Sequence, residues 1–92
     1  MNTRGIVNII AEKTGQTKEQ TEATVKATLE TIKGVVASGE PVRLPDFGIF
    51  EARYITADRD ERNLQAGDPI SYVREIRFSP AKAFQQKVDA AL

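Results

Sequence analysis

The chain has 92 residues, which suits one small domain, and its 13 basic and 13 acidic residues balance to a net charge of zero. Cysteine and histidine are both absent, which excludes disulfides, thiolate nucleophiles, imidazole bases and most structural zinc sites. No apolar run approaches the roughly 18 to 20 residues of a membrane span, and Met1–Arg4 lacks the apolar stretch that follows the basic start of a signal peptide. We therefore expect a soluble, non-exported protein that is not an enzyme and has no cofactor, metal or small-molecule substrate.

The first part of the chain has the periodicity of an amphipathic helix. Ile6, Ile9 and Ile10 recur at helical spacing, which predicts a first helix from about Thr3 to Thr14. Gly15 follows directly and is suited to end the helix.

A second helix is indicated by a capping-box pattern. Thr17 is a favourable N-cap, and Gln20, three residues later, completes the box, so the helix is predicted to start near Lys18. Gly39 can end it in a left-handed conformation. Its apolar side chains form one stripe: Val25, Leu29, Ile32 and Val36. The two helices are expected to form a hairpin over residues 3–39.

Beyond the helical hairpin, the pattern changes to that of β-strands. Val42–Leu44 is predicted as a short strand closed by Pro45. Two longer strand-like runs follow, and together these segments predict a sheet over residues 41–57 and 70–78.

Side-chain alternation along the two longer strands separates charged from aromatic residues. Phe50 and Arg53 differ by an odd number of positions and so lie on opposite faces, and so do Phe78 and Arg77. If the phenylalanines face the core, Arg53 and Arg77 share the open face.

The chain closes with a predicted helix over residues 80–91. Ser79 is suited to cap it and Pro80 to occupy its first position. Its apolar stripe consists of Ala81, Phe84, Val88 and Ala91. The element order is ααβββα, and the fold class is α+β, in a single domain over residues 1–92.

The polar segment 58–69 between the two longer strands is too long for a tight hairpin turn and predicts a projecting β-arm. Near its centre, Arg62 and Asn63 supply groove-reading hydrogen-bonding groups, and Leu64 supplies an apolar wedge. Gly67 allows the positive φ of a turn. The residues at the tip indicate an arm that enters a DNA groove.

The chain resembles the bacterial HU/IHF family of DNA-bending, histone-like nucleoid proteins over nearly its whole length. The segments that carry the resemblance are Ala11–Gly15, Leu29–Lys33, Ala37–Glu40, Phe47–Glu51 and the arm tip Arg62–Gly67. The resemblance implies an intertwined homodimer with a helical base, a β-saddle and two projecting arms that wrap the DNA minor groove. It also implies a cytoplasmic, nucleoid-associated protein that bends or condenses double-stranded DNA largely without sequence specificity.

Dimerisation has a physical reason of its own. With the arm projecting, only about 80 residues remain for the body, and chains of that size bury a modest fraction of their surface, which leaves them marginally stable alone. Sharing aromatic side chains across a two-fold axis would supply an obligate core, although the same side chains also suit an ordinary monomer core. The aromatic side chains in question are Phe47, Phe50, Phe78 and Phe84.

Two departures from the family pattern bear on function. Members typically have proline after Arg-Asn at the arm tip, where this chain has Leu64, which either intercalates as a more flexible wedge or folds back on the arm. The arm also carries Asp58, Asp60 and Glu61, so residues 51–82 contain six basic and six acidic side chains. This balance predicts weak non-specific DNA binding unless the acids point away from the duplex.

The candidate DNA-binding residues combine the arm tip with basic side chains of the sheet and of the last helix. They are Arg53, Arg59, Arg62, Asn63, Leu64, Gln65, Arg74, Arg77 and Lys82. The alternative function is a dimeric scaffold of the same fold, with weakened DNA affinity, that acts through protein–protein interaction.

Overall fold

The computed structural model describes residues 1–56 and 72–91. The chain forms two compact units, Met1–Val35 and Val36–Leu92. The single domain over residues 1–92 stays a prediction.

The first unit contains helix α1, Thr3–Thr14, which has the predicted bounds. The side chain of Asn2 caps its start by accepting a 3.0 Å hydrogen bond from the backbone N–H of Gly5. Gly15 ends it in the left-handed conformation, with φ of 73°, and donates its N–H to the carbonyl of Ala11 at 2.9 Å. Glycine adopts this conformation at little cost, which explains why the helix ends there.

Helix α2, Lys18–Ala37, begins at the predicted capping box. The backbone N–H of Gln20 donates to the Thr17 hydroxyl at 3.1 Å, and the Gln20 side-chain oxygen accepts from the backbone N–H of Thr17 at 3.4 Å. Both members of the box therefore satisfy a backbone donor that the helix leaves without an intrahelical partner, and the prediction is confirmed.

The apolar stripes of the two helices are only partly shielded within one chain. Val7 and Ala11 are buried in the first unit, whereas Ile6, Ile9 and Leu29 are exposed. A stripe that is open to solvent over several large side chains is typical of a surface that a partner covers.

The second unit contains a three-stranded antiparallel sheet in the order β1-β2-β3. Its strands are β1, Val42–Leu44, β2, Gly48–Thr56, and β3, Tyr72–Pro80. The β2–β3 register runs from the pair Gly48–Pro80 to the pair Thr56–Tyr72, so the two strands stay paired up to the residues that flank the predicted arm.

The turn between β1 and β2 depends on a close backbone approach. A methyl group added at Gly48 would lie 2.6 Å from the carbonyl oxygen of Ser79 and 2.6 Å from the ring of Phe78. Only glycine fits at this point of the sheet, because real Cβ atoms do not approach other heavy atoms so closely.

The last helix, α3, spans Lys82–Ala90, so its predicted start at Pro80 is wrong. Ser79 does not cap the helix, because it pairs with Ile49 as part of β3, which extends to Pro80. The residue that precedes the helix, Ala81, instead donates its N–H to the carbonyl of Phe47 at 2.9 Å. The sequence motif favoured a helix start, but strand pairing takes these residues into the sheet.

Candidate nucleic-acid interface

One face of the β2–β3 hairpin carries four charged side chains, which we call the ion quartet: Glu51, Arg53, Glu75 and Arg77. Glu51 pairs with Arg77 across the strands, and Arg53 pairs with Glu75. Directly paired residues of antiparallel strands project from the same face, as do residues two apart along a strand. Each arginine of the quartet therefore has one glutamate beside it along its own strand and another across the hairpin.

The ion pairs of the quartet run along the strands. Arg53 donates from Nε and Nη2 to one carboxylate oxygen of Glu51, at 3.1 and 2.8 Å. Arg77 donates from Nη2 to Glu75 at 3.5 Å, a longer and weaker contact. The side chain of Glu51 is 29% exposed and that of Arg53 is 59% exposed, and those of Arg77 and Glu75 are 50% and 45% exposed, so solvent screens both pairs in part.

The ion quartet reduces the number of arginine N–H donors on this face that are free to bind a phosphate. A carboxylate and a phosphate oxygen accept the same guanidinium donors, so Glu51 and Glu75 compete with DNA for part of the donors of Arg53 and Arg77. The prediction that Arg53 and Arg77 lie on one face agrees with the register, but each lies beside an acid of its own strand.

A further cation on this face is Arg43, which sequence reasoning did not select. Arg43 pairs with Ile49, which in turn pairs with Ser79, so all three project from the face of the quartet. Arg43 is exposed and has no ion pair within residues 1–56 and 72–91. The available signal was the alternation of Val42-Arg43-Leu44, which turns Arg43 away from its two apolar neighbours.

The opposite face of the sheet is aromatic, and we call it the aromatic face. The rings of Phe50 and Phe78 lie with centroids 4.6 Å apart, and Phe47 lies 5.2 Å from Phe84 of α3. Phe47 and Phe78 nevertheless remain 44% and 39% exposed. The four phenylalanines form one cluster in the second unit, and this cluster is not closed off from solvent by a single chain.

Arg74 lies on the aromatic face and not with Arg53 and Arg77. Its register partner is Tyr54, and its guanidinium carbon lies 5.7 Å from the centre of the Tyr54 ring. Its Nη2 donates a 2.9 Å hydrogen bond to the backbone carbonyl of Val36. The structure thus separates Arg74 from the other two arginines of the predicted sheet site.

Lys82 and Lys87 lie at opposite ends of α3. Lys82 is the first residue of the helix, and its N-cap, Ala81, makes no side-chain capping bond. Both lysines are exposed, and neither has an ion pair in the described part of the chain. Lys82 therefore adds its charge near backbone N–H groups that the helix leaves without an intrahelical acceptor.

The predicted arm residues lie outside the described residues. They are Arg59, Arg62, Asn63, Leu64 and Gln65, together with the acids Asp58, Asp60 and Glu61. Among the residues that the structure does describe, no helix is long and apolar enough to cross a membrane.

The chain is a small α+β protein of order ααβββα, and the open face of its sheet carries both arginines and glutamates. Comparison with known proteins identifies the family. The family model described as bacterial DNA-binding protein matches residues 1–89. DNA-binding protein HU of Nostoc sp. is 41% identical over 90 residues, covering 96% of this chain and 95% of that protein. The SPbeta prophage-derived DNA-binding protein HU 2 of Bacillus subtilis is 37% identical over 92 residues, covering 98% and 99%.

A solved structure agrees with this relationship. The HU chain of an Anabaena HU–DNA cocrystal structure matches with a TM-score of 0.75 and 37% identity, covering 96% of this chain and 97% of that one. The chain therefore belongs to the bacterial DNA-binding protein family of HU and integration host factor. The predicted family and the α+β fold are confirmed.

The family is one of architectural DNA-binding proteins that form dimers, and it is not one of enzymes. The predicted partners, DNA and a second copy of the chain, are confirmed at the level of the family.

Proposed function

We propose that the protein acts as a homodimer that enters the minor groove of duplex DNA with two β-arms and bends or compacts the DNA, largely without sequence specificity. The observation that supports this most is the pairing of β2 with β3 up to Thr56 and Tyr72. The two ends from which the proposed arm extends are thus side by side. A protein of this kind acts at the bacterial nucleoid, in the cytoplasm.

The proposed contacts fall into two groups. At the arm tip, Leu64 acts as the wedge between base steps, while Arg62 and Asn63 occupy the groove and Arg59 and Gln65 contact its walls. On the sheet, Arg53 and Arg77 contact the sugar–phosphate backbone from the face opposite the phenylalanines, and Lys82 does so from the start of α3. A backbone contact by Arg74 would require its guanidinium to leave the Val36 carbonyl.

The wedge is tested by fluorescence energy transfer between the ends of a short duplex. We expect Leu64→Ala to reduce the bend and the affinity for nicked duplexes, because the apolar side chain that parts the bases is lost. Leu64→Pro should preserve or strengthen the bend, since proline has no rotamer freedom to lose on insertion. Arg62→Ala is the matched electrostatic variant and should weaken binding to every duplex while lowering its salt dependence.

Equal bending by wild type and Leu64→Ala would show that Leu64 is not a wedge.

A second function has an observation of its own in its favour, because the ion quartet leaves the hairpin with balanced charge on its open face. If wild type fails to bind any duplex near physiological salt, the protein acts instead as a dimeric scaffold that contacts other proteins.

A further inference from the structure

Arg74 supplies a cation to the end of α2 from a distant part of the sequence. The last carbonyls of a helix lack intrahelical donors and favour a positive charge nearby. The last turn of α2 has no basic residue of its own. Arg74 Nη2 donates to the Val36 carbonyl at 2.9 Å, and the same carbonyl accepts from the N–H of Gly39 at 3.0 Å.

The direction of the Arg74 side chain is supported by its register partner. Its guanidinium lies over the ring of Tyr54 at 5.7 Å from the centroid, within the range of a cation–π interaction. Tyr54 itself is 74% exposed, so the ring contributes orientation more than a buried contact. Together, Tyr54 and the Val36 carbonyl direct the guanidinium along the aromatic face and away from the ion quartet.

The Arg74 contacts lie at the end of the hairpin that is nearer to the proposed arm. The Tyr54–Arg74 pair lies two residues from the Thr56–Tyr72 pair, beyond which the proposed arm begins. Pairs farther from the arm, such as Phe50–Phe78, are instead held by the phenylalanine cluster. Among the described residues, Arg74 therefore makes a hydrogen-bonded contact between the arm-proximal end of the hairpin and the Val36 backbone within the second unit.

We propose that Arg74 is a positioning residue for DNA bending: its bond to the Val36 carbonyl fixes the direction in which the arm leaves the sheet. This inference rests on the proposed function. A small rotation at the root of a projecting arm displaces its tip more than its root. Loss of the anchor then reduces the bend without removing a phosphate contact.

The experiment compares Arg74→Gln with Arg53→Gln and Arg77→Gln, which remove the same charge from the opposite face. For each homodimer, energy transfer across an end-labelled duplex gives the mean bend and its distribution, and titrations at several salt concentrations give the salt slope. Arg74→Gln should lower and broaden the bend while leaving the slope as in wild type. The two control variants should instead lower the slope and leave the shape of the bend distribution unchanged.

Arg74→Lys keeps the charge and an ammonium group that can donate to the Val36 carbonyl, so its bend should lie nearer to wild type than that of Arg74→Gln. Tyr54→Leu leaves Arg74 in place but removes the ring, and it should shift the bend in the same direction, which keeps the test valid if Arg74→Gln does not fold. A slope lowered by about 0.9 in Arg74→Gln would make Arg74 a phosphate contact and overturn the inference. If Arg74→Gln and Tyr54→Leu bend DNA as wild type does, the positioning role of Arg74 is overturned and the proposed function is unaffected. If wild type binds DNA without bending it, the proposed function is overturned as well.

Discussion

Arg53 donates two hydrogen bonds to a single carboxylate oxygen of Glu51, at 3.1 and 2.8 Å, and this occupies donors that a phosphate oxygen could also accept. The second arginine of the same face, Arg77, is beside Glu75 in the same way. Exposed pairs of this kind contribute at most about 1 kcal/mol each, so a duplex can displace them. We expect the main effect of these ion pairs to be on the salt dependence of DNA binding.

Replacing both glutamates of the ion quartet should strengthen DNA binding. We expect Glu51→Gln with Glu75→Gln to raise affinity about two- to fivefold per substitution at low salt and to steepen the slope of log affinity against log salt by up to about 0.9 per arginine released. The measurement is a titration of a short duplex at several salt concentrations. Glu30→Gln is the matched control, because Glu30 also pairs with a cation, Lys33, at 3.0 Å on an exposed helix.

If Glu30→Gln strengthens binding as much as each single quartet substitution does, the effect arises from net charge alone. The ion quartet would then have no particular part in DNA binding.

Folding should depend on protein concentration. The exposed apolar side chains of both units, among them Ile6, Leu29 and Phe47, require a partner to cover them. Because association stabilises the folded state by mass action, the melting temperature should rise with protein concentration, and sedimentation should give the mass of a dimer. A folded monomer whose melting temperature is independent of concentration would contradict this prediction.

Gly48→Ala should destabilise the protein by about 1–3 kcal/mol, because the added methyl group would overlap the ring of Phe78 and the carbonyl of Ser79. Gly34→Ala is the control. Gly34 lies within α2 with no heavy atom within 4 Å of an added methyl group, so the change should stabilise the helix by about 0.5–1 kcal/mol. Urea unfolding at one fixed protein concentration measures both. Equal stability of Gly48→Ala and wild type would show that the turn adjusts to the extra atom.

The two lysines of α3 should differ in their effect on DNA binding. Lys82→Ala should lower affinity and reduce the salt slope by about 0.9, because Lys82 lies at the helix end where backbone N–H groups favour a phosphate. Lys87→Ala removes the same charge from the last turn of the same helix and should change the slope less. The measurement is a titration of one duplex with each variant at several salt concentrations. Equal losses of affinity in the two variants would show that Lys82 has only a general electrostatic effect.

Local patterns predicted the helical part of this fold well. The bounds of α1 and the capping box at Thr17 and Gln20 depend on residues a few positions apart, so the sequence contains the needed information. The boundary between β3 and α3 does not depend on local preference alone. Ser79 and Pro80 favour a helix start, but their pairing with Ile49 and Gly48 keeps them in the strand.

In the candidate site, the faces of the strands were predictable from the sequence, but the contact of Arg74 was not. Strand alternation correctly separated the face of Arg53 and Arg77 from that of Phe50 and Phe78. The same parity places Arg74 with the phenylalanines, yet its charge had favoured a DNA contact. Its bond to the Val36 carbonyl spans 38 positions of the sequence, and no local pattern specifies such a contact.

The shortness of β1 leaves much of the sheet without a neighbour on one side. β1 pairs with β2 only as far as Phe50, so from Glu51 onward β2 is hydrogen-bonded to β3 alone among the described strands. Such open edges invite pairing with strands of other molecules, which leads to aggregation. The alternating charges of Glu51 and Arg53 oppose this, because an incoming strand would have to present the complementary sequence of charges in register. We therefore expect the ion quartet also to oppose the formation of intermolecular sheets in concentrated solutions of the protein.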